Sequence, residues 1–216
     1  MSSSICQISL IEGSVAQSHL TVLDDNLKSA SKIVSKVPPH GCNTELQELC
    51  LKAYILLSHA ALEVYFEDAC LNAATEAVGK YKNSGTITKS LLGLVSSKVL
   101  RDVRTKNAKK LASDAVSNIA VFSTEALTAY AKRVKDNNGI KGENIRSLLV
   151  PVGVEPEVEE ISAFNALNTF GTSRGDIAHK FLGIKTQHTL SSVNSSLKTI
   201  RDGIDVYEAA LSVALS

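Results

Sequence analysis

Arg174 and His179 are the residues whose types and spacing best suit chemistry on a charged substrate. They are five positions apart, in the run Arg-Gly-Asp-Ile-Ala-His. Arginine keeps its proton and can hold an anion with two N–H groups, whereas histidine gains and loses a proton near neutral pH. On a regular helix five positions amount to about 140° around the axis and about 7.5 Å along it, so the two side chains do not stack. Either Gly175 loosens the turn, the long arginine wraps back, or a second subunit completes the site.

Arg174 falls on the apolar stripe of its own segment, where a cation is unexpected. At helical spacing it shares a face with four large apolar residues, which are Leu167, Phe170, Ile177 and Phe181. A buried or half-buried guanidinium needs an anion, because an unpaired charge is costly in apolar surroundings. We therefore expect a carboxylate or a phosphate beside it. A lone histidine such as His179, in contrast, is often an ordinary surface or capping residue.

Glu63 is the matching exception in the most apolar segment of the chain. His59 lies one turn earlier on the same helix face, and the neighbours of Glu63 are apolar: Ala60, Ala61, Leu62, Val64, Tyr65 and Phe66. An ion pair between Glu63 and Arg174, formed between two packed helices, would satisfy both charges. Such a pair could equally serve only to hold the helices together, because structural ion-pair networks are common.

The segments that position these residues are predicted to be helical throughout. The chain has 216 residues, of which 44% are hydrophobic, with four prolines and no tryptophan. Its abundant alanine and straight-chain residues lose little rotamer freedom in a helix. We predict an all-α fold in a single domain over residues 1–216. The predicted helices span residues 2–37, 45–79, 88–107, 123–135, 144–150, 156–181 and 187–214.

Residues 49–71 identify the central helix of the predicted bundle. They are apolar on nearly every face, which is typical of a helix enclosed by others. Thr44 and Gln47 form a predicted capping box at the start of this helix, and the prolines at 38–39 end the helix before it. The middle third of the chain holds additional helices, inserted between the central helix and the segment that carries Arg174.

Cellular location and cofactor use are constrained by what the sequence lacks. The start of the chain has no basic region ahead of an apolar run, and no uninterrupted apolar stretch reaches the ~18 residues that a membrane span needs. We expect a cytoplasmic protein without a membrane partner. We also expect neither a metal site nor a cofactor, because the spacing of the cysteines is not that of metal ligands. We interpret the cysteines as small buried residues. They are Cys6, Cys42, Cys50 and Cys70.

Charge is distributed unevenly along the chain, although its net value is only +1. Residues 1–79 carry a net −5 and residues 151–216 a net −3, whereas residues 80–146 carry 14 basic and five acidic side chains, a net +9. Such a block can follow a phosphate backbone, which favours nucleic-acid binding. It can also be a solvated helix face, since few aromatic residues are interleaved to stack bases. Its densest part holds Lys98, Arg101, Arg104, Lys106, Lys109 and Lys110.

The run from Arg174 to His179 resembles the R-x(4 to 6)-H motif of HEPN domains, specifically the RiboL-PSP-HEPN-like group. The segments that precede the motif are also similar to those of the group. Residues 144–149 are followed by a Gly-Val pair at 153–154 and then by the helix that carries the motif. Residues 58–65 resemble the apolar helix of that group, with its single glutamate. The resemblance spans most of the chain and implies an HEPN-type helical bundle. The chain departs from many active members at Gly175, where those members have a polar residue directly after the arginine.

The resemblance implies an activity and a set of partners. HEPN ribonucleases cleave RNA without metal: the ribose 2′-OH attacks the adjacent phosphate and leaves a 2′,3′-cyclic phosphate and a 5′-OH. Arg174 would bind the phosphate and His179 would transfer the proton, while the basic residues named above would bind the RNA. We expect the pair to be supported by three further residues, Glu63, Asp176 and His59. The family's two-subunit clefts imply a homodimer, and its toxin and anti-phage roles imply a cognate antitoxin or defence-system protein as partner.

A catalytically silent HEPN bundle is the alternative from another class of function. The sequence contains no glycine-rich phosphate loop, no G-x-S-x-G and no H-E-x-x-H, so it does not favour a general hydrolase or a kinase. A silent bundle would act as an interaction or dimerisation module and would bind a nucleotide or a partner protein at Arg174. A fold alone does not decide between these two functions.

Overall fold

The computed structural model describes residues 18–102, 108–179 and 188–216. All regular structure in these ranges is helical, which confirms the predicted all-α fold. Short 3-10 turns follow α1 and α6, at Lys32–Val34 and Val150–Val152. The α-helices in these ranges are α1 His19–Ser31, α2 Glu45–Ser84, α3 Lys89–Asp102, α4 Ala108–Ser117, α5 Ile119–Lys135, α6 Gly142–Leu149, α7 Pro156–Glu159, α8 Ile161–His179 and α9 Leu190–Leu215.

Helix α2 begins where the sequence predicts and ends later. The Thr44 hydroxyl accepts a hydrogen bond from the Gln47 backbone N–H at 3.2 Å, and the Gln47 side chain accepts one from the Asn43 N–H at 2.9 Å. The second bond reaches one residue further back than in a standard capping box. The predicted end at Gly79 is wrong, because the chain stays helical until Gly85 adopts a left-handed conformation with φ 72°.

Two other predicted helices are divided in the structure. The predicted first helix, from 2 to 37, is α-helical in the described part only over α1 and then tightens into the 3-10 turn; residues 1–17 lie outside the described part. The predicted segment 156–181 is broken at Glu160, which has an extended backbone. The Glu160 carboxylate accepts a hydrogen bond from the Ser162 N–H at 2.9 Å, so this residue caps the start of α8. The middle third contains α3 and α5, close to the two predicted helices 88–107 and 123–135, and also α4, which was not predicted.

Helix α2 is the axis around which the longer helices pack. It contacts α1, α3, α5, α6, α8 and α9. By length and composition alone α2 could also cross a membrane, since an 18-residue window of it has a mean hydropathy of 1.4. Half of that window is buried inside the bundle. The central helix of a bundle passes the same test, so this is weak evidence for a membrane span.

Three tyrosines tie the outer helices together through side-chain hydrogen bonds. Tyr65 of α2 donates to the Glu208 carboxylate of α9 at 2.6 Å, and Tyr130 of α5 donates to a backbone carbonyl of α6 at 2.6 Å. Tyr207 of α9 donates to the carbonyl of Glu160, directly before α8, at 3.0 Å. Burial raises the pKa of all three phenols, so each remains a protonated donor. These bonds hold α6, α8 and α9 in fixed positions around α2.

Glycines at two contacts allow a backbone approach that a side chain would prevent. A methyl group added to Gly203 of α9 would lie 2.1 Å from Cβ of Ala163 in α8. A methyl group added to Gly93 of α3 would lie 2.6 Å from the carbonyl oxygen of Pro151. Helix α8, which carries Arg174, is therefore packed directly against the backbone of α9.

We predict that Gly203→Ala destabilises the protein even though alanine is the better helix former. The added methyl group would overlap Ala163, and overpacking of this kind costs about 1–3 kcal/mol. Gly79→Ala is the matched control, because nothing lies within 4 Å of its added methyl group, and it should stabilise α2 by about 0.5–1 kcal/mol. Urea unfolding of both variants beside the parent measures the two effects. A Gly203→Ala variant as stable as the parent would contradict the packing argument.

Candidate functional site

Helix α8 is continuous through the Arg174 to His179 run, so Gly175 does not loosen the turn between them. The backbone keeps the two residues about 140° apart around the helix axis, as their spacing predicts. Asp176 is exposed, and its position is about 200° from Arg174, on the opposite side of α8. The side chain of His179 lies outside the described part of the structure. The backbone alone therefore does not bring the pair together.

The expectation that Arg174 is buried or half-buried is wrong. Its stripe neighbours Leu167, Phe170 and Ile177 are buried, but Arg174 itself is exposed. A long side chain can lie over an apolar face while its charged end reaches water, which the shorter apolar neighbours cannot do. The guanidinium thus reaches solvent from the inward-facing stripe of α8. Phe181, the last residue of the predicted stripe, lies outside the described residues.

Glu63 and His59 of α2 face Arg174 across the gap between α2 and α8. The charge of Arg174 acts on both side chains: it adds to the effect of burial in lowering the pKa of His59, and it opposes the rise that burial causes in the pKa of Glu63. The predicted direct ion pair is not formed, however, since no ion pair joins Glu63 to Arg174 among the described residues. Glu63 Oε2 lies 3.7 Å from His59 Nδ1 instead, and the backbone N–H of Gly139 is near enough to favour the charged carboxylate. The three side chains lie near one another, but Arg174 interacts with the charge of Glu63 only at longer range.

The loop between α5 and α6, residues 136–141, forms one wall of this gap. Asn137 donates to the Glu67 carboxylate at 2.8 Å and to the carbonyl of Gly139 at 3.0 Å. Asn144 donates to the Asn137 side-chain oxygen at 3.0 Å. Sequence reasoning missed the role of this loop, which lies between the predicted helices 123–135 and 144–150. The signal that could have revealed it is the pair of glutamates, Glu63 and Glu67, one turn apart in the mostly apolar segment 49–71.

Burial sets the protonation of the residues on the α2 side of the gap. His59 is only 2% exposed, and burial, followed by the charge of Arg174, lowers its pKa to about 4. The imidazole is therefore neutral at pH 7. Burial, followed by repulsion from Glu67, raises the pKa of Glu63, while Arg174 and the Gly139 N–H oppose that shift. The surface that faces Arg174 thus offers a neutral ring and a carboxylate beside the loop.

Lys98, the first residue of the predicted RNA-binding cluster, is buried and paired within the protein. Its ammonium is 3.0 Å from an Asp102 carboxylate oxygen and 3.3 Å from one of Glu125, and it lies 5.0 Å from the ring centre of Phe122. The hydrogen bond from Lys98 lowers the pKa of Asp102. We therefore leave Lys98 out of any RNA-binding surface.

The rest of the predicted cluster is partly exposed, and the groove that Lys98 lines is remote from Arg174. Arg101, Lys109 and Lys110 are exposed, with Arg101 Nε 3.4 Å from Asp102, whereas Arg104 and Lys106 lie outside the described residues. Lys98 lines an open groove of about 730 Å³ together with Lys82 and Lys132. Lys82 follows His59 by 23 residues on the same helix, which corresponds to about 34 Å. Within one chain, this groove does not border the gap beside Arg174.

Cysteines play no visible part in this site. Cys42 and Cys50 are half-buried and Cys70 is buried, and all three are free thiols; Cys6 lies outside the described residues. Burial raises the pKa of Cys70 to about 12, so it is unreactive at neutral pH. Across the described ranges, no group of three His, Cys, Asp or Glu side chains is arranged to hold a metal ion.

Comparison with known protein families agrees with the fold. A family model described as RiboL-PSP-HEPN matches residues 19–213. The match covers most of the chain, so the protein belongs to the RiboL-PSP-HEPN family, and the family resemblance predicted from the motif is confirmed. No curated protein and no solved structure matches the chain.

We predict that His59 makes the fold less stable in mild acid. An unfolded histidine binds a proton below about pH 6.5, whereas folded His59 does so only near its pKa of about 4. Stability should therefore fall as the pH falls from about 6.5 to about 4. The raised pKa of Glu63 acts in the opposite direction, so the comparison must be made between variants.

His59→Gln should remove that part of the pH dependence. The measurement is the urea midpoint between pH 4 and 7.5 for the parent, for His59→Gln and for His40→Gln. His40 is exposed, so its replacement controls for the loss of a histidine as such. Parallel pH curves for the parent and His59→Gln would contradict the assignment of a buried neutral imidazole.

Proposed function

We propose that this protein is a metal-independent HEPN endoribonuclease in which Arg174 binds the scissile phosphate and His179 transfers a proton. The observation that carries the proposal is the exposed Arg174 guanidinium, which has no ion-pair partner among the described residues. It projects from the inward stripe of α8 beside a neutral His59. A cation held in this way is suited to an anion that comes from solution.

The proposed reaction needs only side-chain groups. The ribose 2′-oxygen forms a bond to phosphorus, the bond from phosphorus to the 5′-oxygen breaks, and one proton moves from the 2′-OH to the leaving oxygen. Arg174 would stabilise the extra negative charge on the phosphorane, and His179 would carry the proton. Glu63 would act indirectly, because it lies beside His59 and forms no ion pair with Arg174 among the described residues. His59 would keep the inner wall free of a second cation.

We expect purified protein to cleave RNA in the presence of EDTA and to leave 2′,3′-cyclic phosphate ends. Arg174→Ala and His179→Ala should each lower the rate by at least ~100-fold, the scale of a lost proton-transfer group or charge-stabilising donor. End analysis of the products identifies the cyclic phosphate. Lys28→Ala, on α1, removes one exposed lysine elsewhere and should leave the rate unchanged. Cleavage that requires added Mg²⁺, or that persists in both site variants, would refute the mechanism.

A homodimer is part of the proposal, and an exposed apolar stripe on α2 supports it. Leu57 and Val64 are 50% and 47% exposed, unusual values for large apolar side chains on a central helix. With Ala60 between them, these residues lie about 120° around α2 from His59, next to the face that carries Glu63. Two copies packed along this stripe would bury it and bring both Arg174 sites to one cleft. The stripe also includes Leu46, Leu49 and Ala53.

We predict that Leu57→Glu converts the dimer to a monomer without unfolding the chain. A charge in the centre of a self-complementary interface is introduced twice, once from each copy. Light scattering at micromolar concentration measures the mass. Leu92→Glu is the matched control, because Leu92 of α3 is 55% exposed but lies off the stripe. A monomeric parent, or a Leu57→Glu variant that remains dimeric, would contradict this interface.

The exposed cations of the middle third would contribute to RNA affinity rather than to cleavage. Arg101, Lys109 and Lys110 would meet only an RNA long enough to extend well beyond the cut site. Their contribution should weaken with rising salt, because it depends on counterion release. A cytoplasmic location and a cognate antitoxin or defence-system partner complete the proposal.

A catalytically silent module is the second candidate, and Gly175 is the observation that favours it. The position beside Arg174 carries no polar side chain of its own. Such a protein would use exposed Arg174 to bind a nucleotide or a partner protein. The EDTA experiment separates the two candidates, because a silent module would bind RNA or nucleotide without producing cyclic phosphate ends.

A further inference from the structure

We propose that Lys141 is a second phosphate-binding residue, whose ammonium occupies the place beside Arg174 that Gly175 leaves open. The two cations would bind one phosphate group together. The inference rests on the proposed function only in taking that phosphate to belong to RNA. It deepens the function by giving the site a residue from the 136–141 loop, outside the Arg174 to His179 run.

The side chain of Lys141 follows the surface of α8 because two glycines leave room for it. A methyl group on Gly171 would lie 3.0 Å from Cγ of Lys141 and 3.0 Å from its backbone nitrogen. A methyl group on Gly175 would meet only Nζ of Lys141, at 3.9 Å. Gly171 and Gly175 are one helical turn apart on the same face. The aliphatic part of the Lys141 side chain therefore runs along α8 from Gly171 to Gly175. Its ammonium lies beside Gly175, the residue that follows Arg174.

The backbone at Lys141 is held in place by its neighbours, so the position of the lysine is organised in advance. Gly142 donates its N–H to the Asn168 side-chain oxygen of α8 at 3.0 Å. A methyl group on Gly142 would lie 2.8 Å from the ring of Phe164, which shows how closely this backbone approaches α8. Ile140, on the other side, is fully buried. Three consecutive residues thus fix where the Lys141 side chain begins.

Charge is the second part of the argument. In the described ranges neither Lys141 nor Arg174 forms an ion pair, although both are exposed. Other cations of the protein do: Arg201 pairs with Asp24 at 2.7 Å, and Lys198 with Asp202 at 2.6 Å. Two unpaired like charges on adjacent positions repel each other, and an anion between them removes that cost.

A phosphate diester suits these two cations. Its two non-bridging oxygens carry the charge, and a guanidinium can hold them with two parallel N–H bonds. A lysine ammonium acts as a compact point charge with three donors and can approach one of the same oxygens. The Glu63 carboxylate lies beside His59 and forms no ion pair with either cation in the described ranges, so it does not fill this role.

The test measures binding apart from cleavage. The probe is a fluorescent 2′-O-methyl trinucleotide, which lacks the free 2′-OH needed for cleavage and is too short to reach the groove at Lys82. We expect Lys141→Ala to weaken binding by about tenfold, equivalent to about 1.4 kcal/mol, and to lower the slope of log affinity against log salt by about one. Lys141→Arg should stay within threefold of the parent. Lys82→Ala is the control for removing a distant exposed lysine and should bind as the parent does.

Two variants of Gly175 give an independent test on the other side of the contact. Gly175→Asp would place a carboxylate beside the Lys141 ammonium, so it should lower probe affinity at least as much as Lys141→Ala. Gly175→Ala adds a methyl group at an ordinary contact distance from Nζ, and it should leave affinity unchanged. Both variants keep Lys141, so a folding defect of Lys141→Ala cannot decide the result.

The outcomes separate this inference from the proposed function. If Arg174→Ala abolishes probe binding while Lys141→Ala or Gly175→Asp binds within twofold of the parent, the inference is overturned and the ribonuclease proposal stands. An equal loss in Lys141→Arg and Lys141→Ala would also overturn it, because the charge would then not matter. Tenfold loss in Lys141→Ala in a protein that cleaves no RNA would support the phosphate site and reject the enzyme. Failure of the parent to bind the probe would overturn the inference, whereas cleavage in EDTA by the same protein would leave the ribonuclease proposal standing.

Discussion

The attachment of the 136–141 loop to the polar residues of α2 is the constraint on which the site depends. Helix α2 is largely the apolar axis of the bundle, so half-buried Glu63 and Glu67 need polar neighbours. The loop donates a hydrogen bond from the Asn137 side chain to Glu67 and brings the Gly139 N–H near Glu63. Satisfying these carboxylates fixes the loop between α2 and α8. The same attachment carries Lys141 to α8 and leaves Arg174 without a direct carboxylate partner.

The chemistry of the gap follows from that arrangement. A glutamate paired directly with Arg174 would neutralise the guanidinium and close the site, as in a purely structural ion pair. With Glu63 making no ion pair to Arg174 in the described ranges and His59 neutral through burial, the guanidinium stays accessible at the solvent boundary. Gly171 and Gly175 of α8 let the loop approach α8 closely beside Arg174. Stability of the bundle and an accessible cation are thus compatible in this fold.

Much of the fold could be predicted from the sequence because local rules determine it. The apolar run of 49–71, the start of α2 at Thr44 and the helical nature of every long segment follow from composition, periodicity and capping. The Arg174 to His179 run and the isolated Glu63 were also visible, since a charged residue in an apolar pattern stands out without any knowledge of contacts. Their types alone suggested an anion site, and the family suggested by the motif is the one whose model matches the chain.

Three-dimensional packing decided what the local pattern could not. Helical spacing placed Arg174 on the apolar stripe, but only the position of neighbouring elements shows that its charged end reaches solvent. Lys98 looked like part of a basic surface, yet Asp102 and Glu125 surround it once α3 and α5 pack together. The 136–141 loop joined the site through contacts across about 70 residues of sequence. Sequence alone determined which residues are unusual, and tertiary structure decided which of them meet, because burial and partner distance depend on elements far apart in the chain.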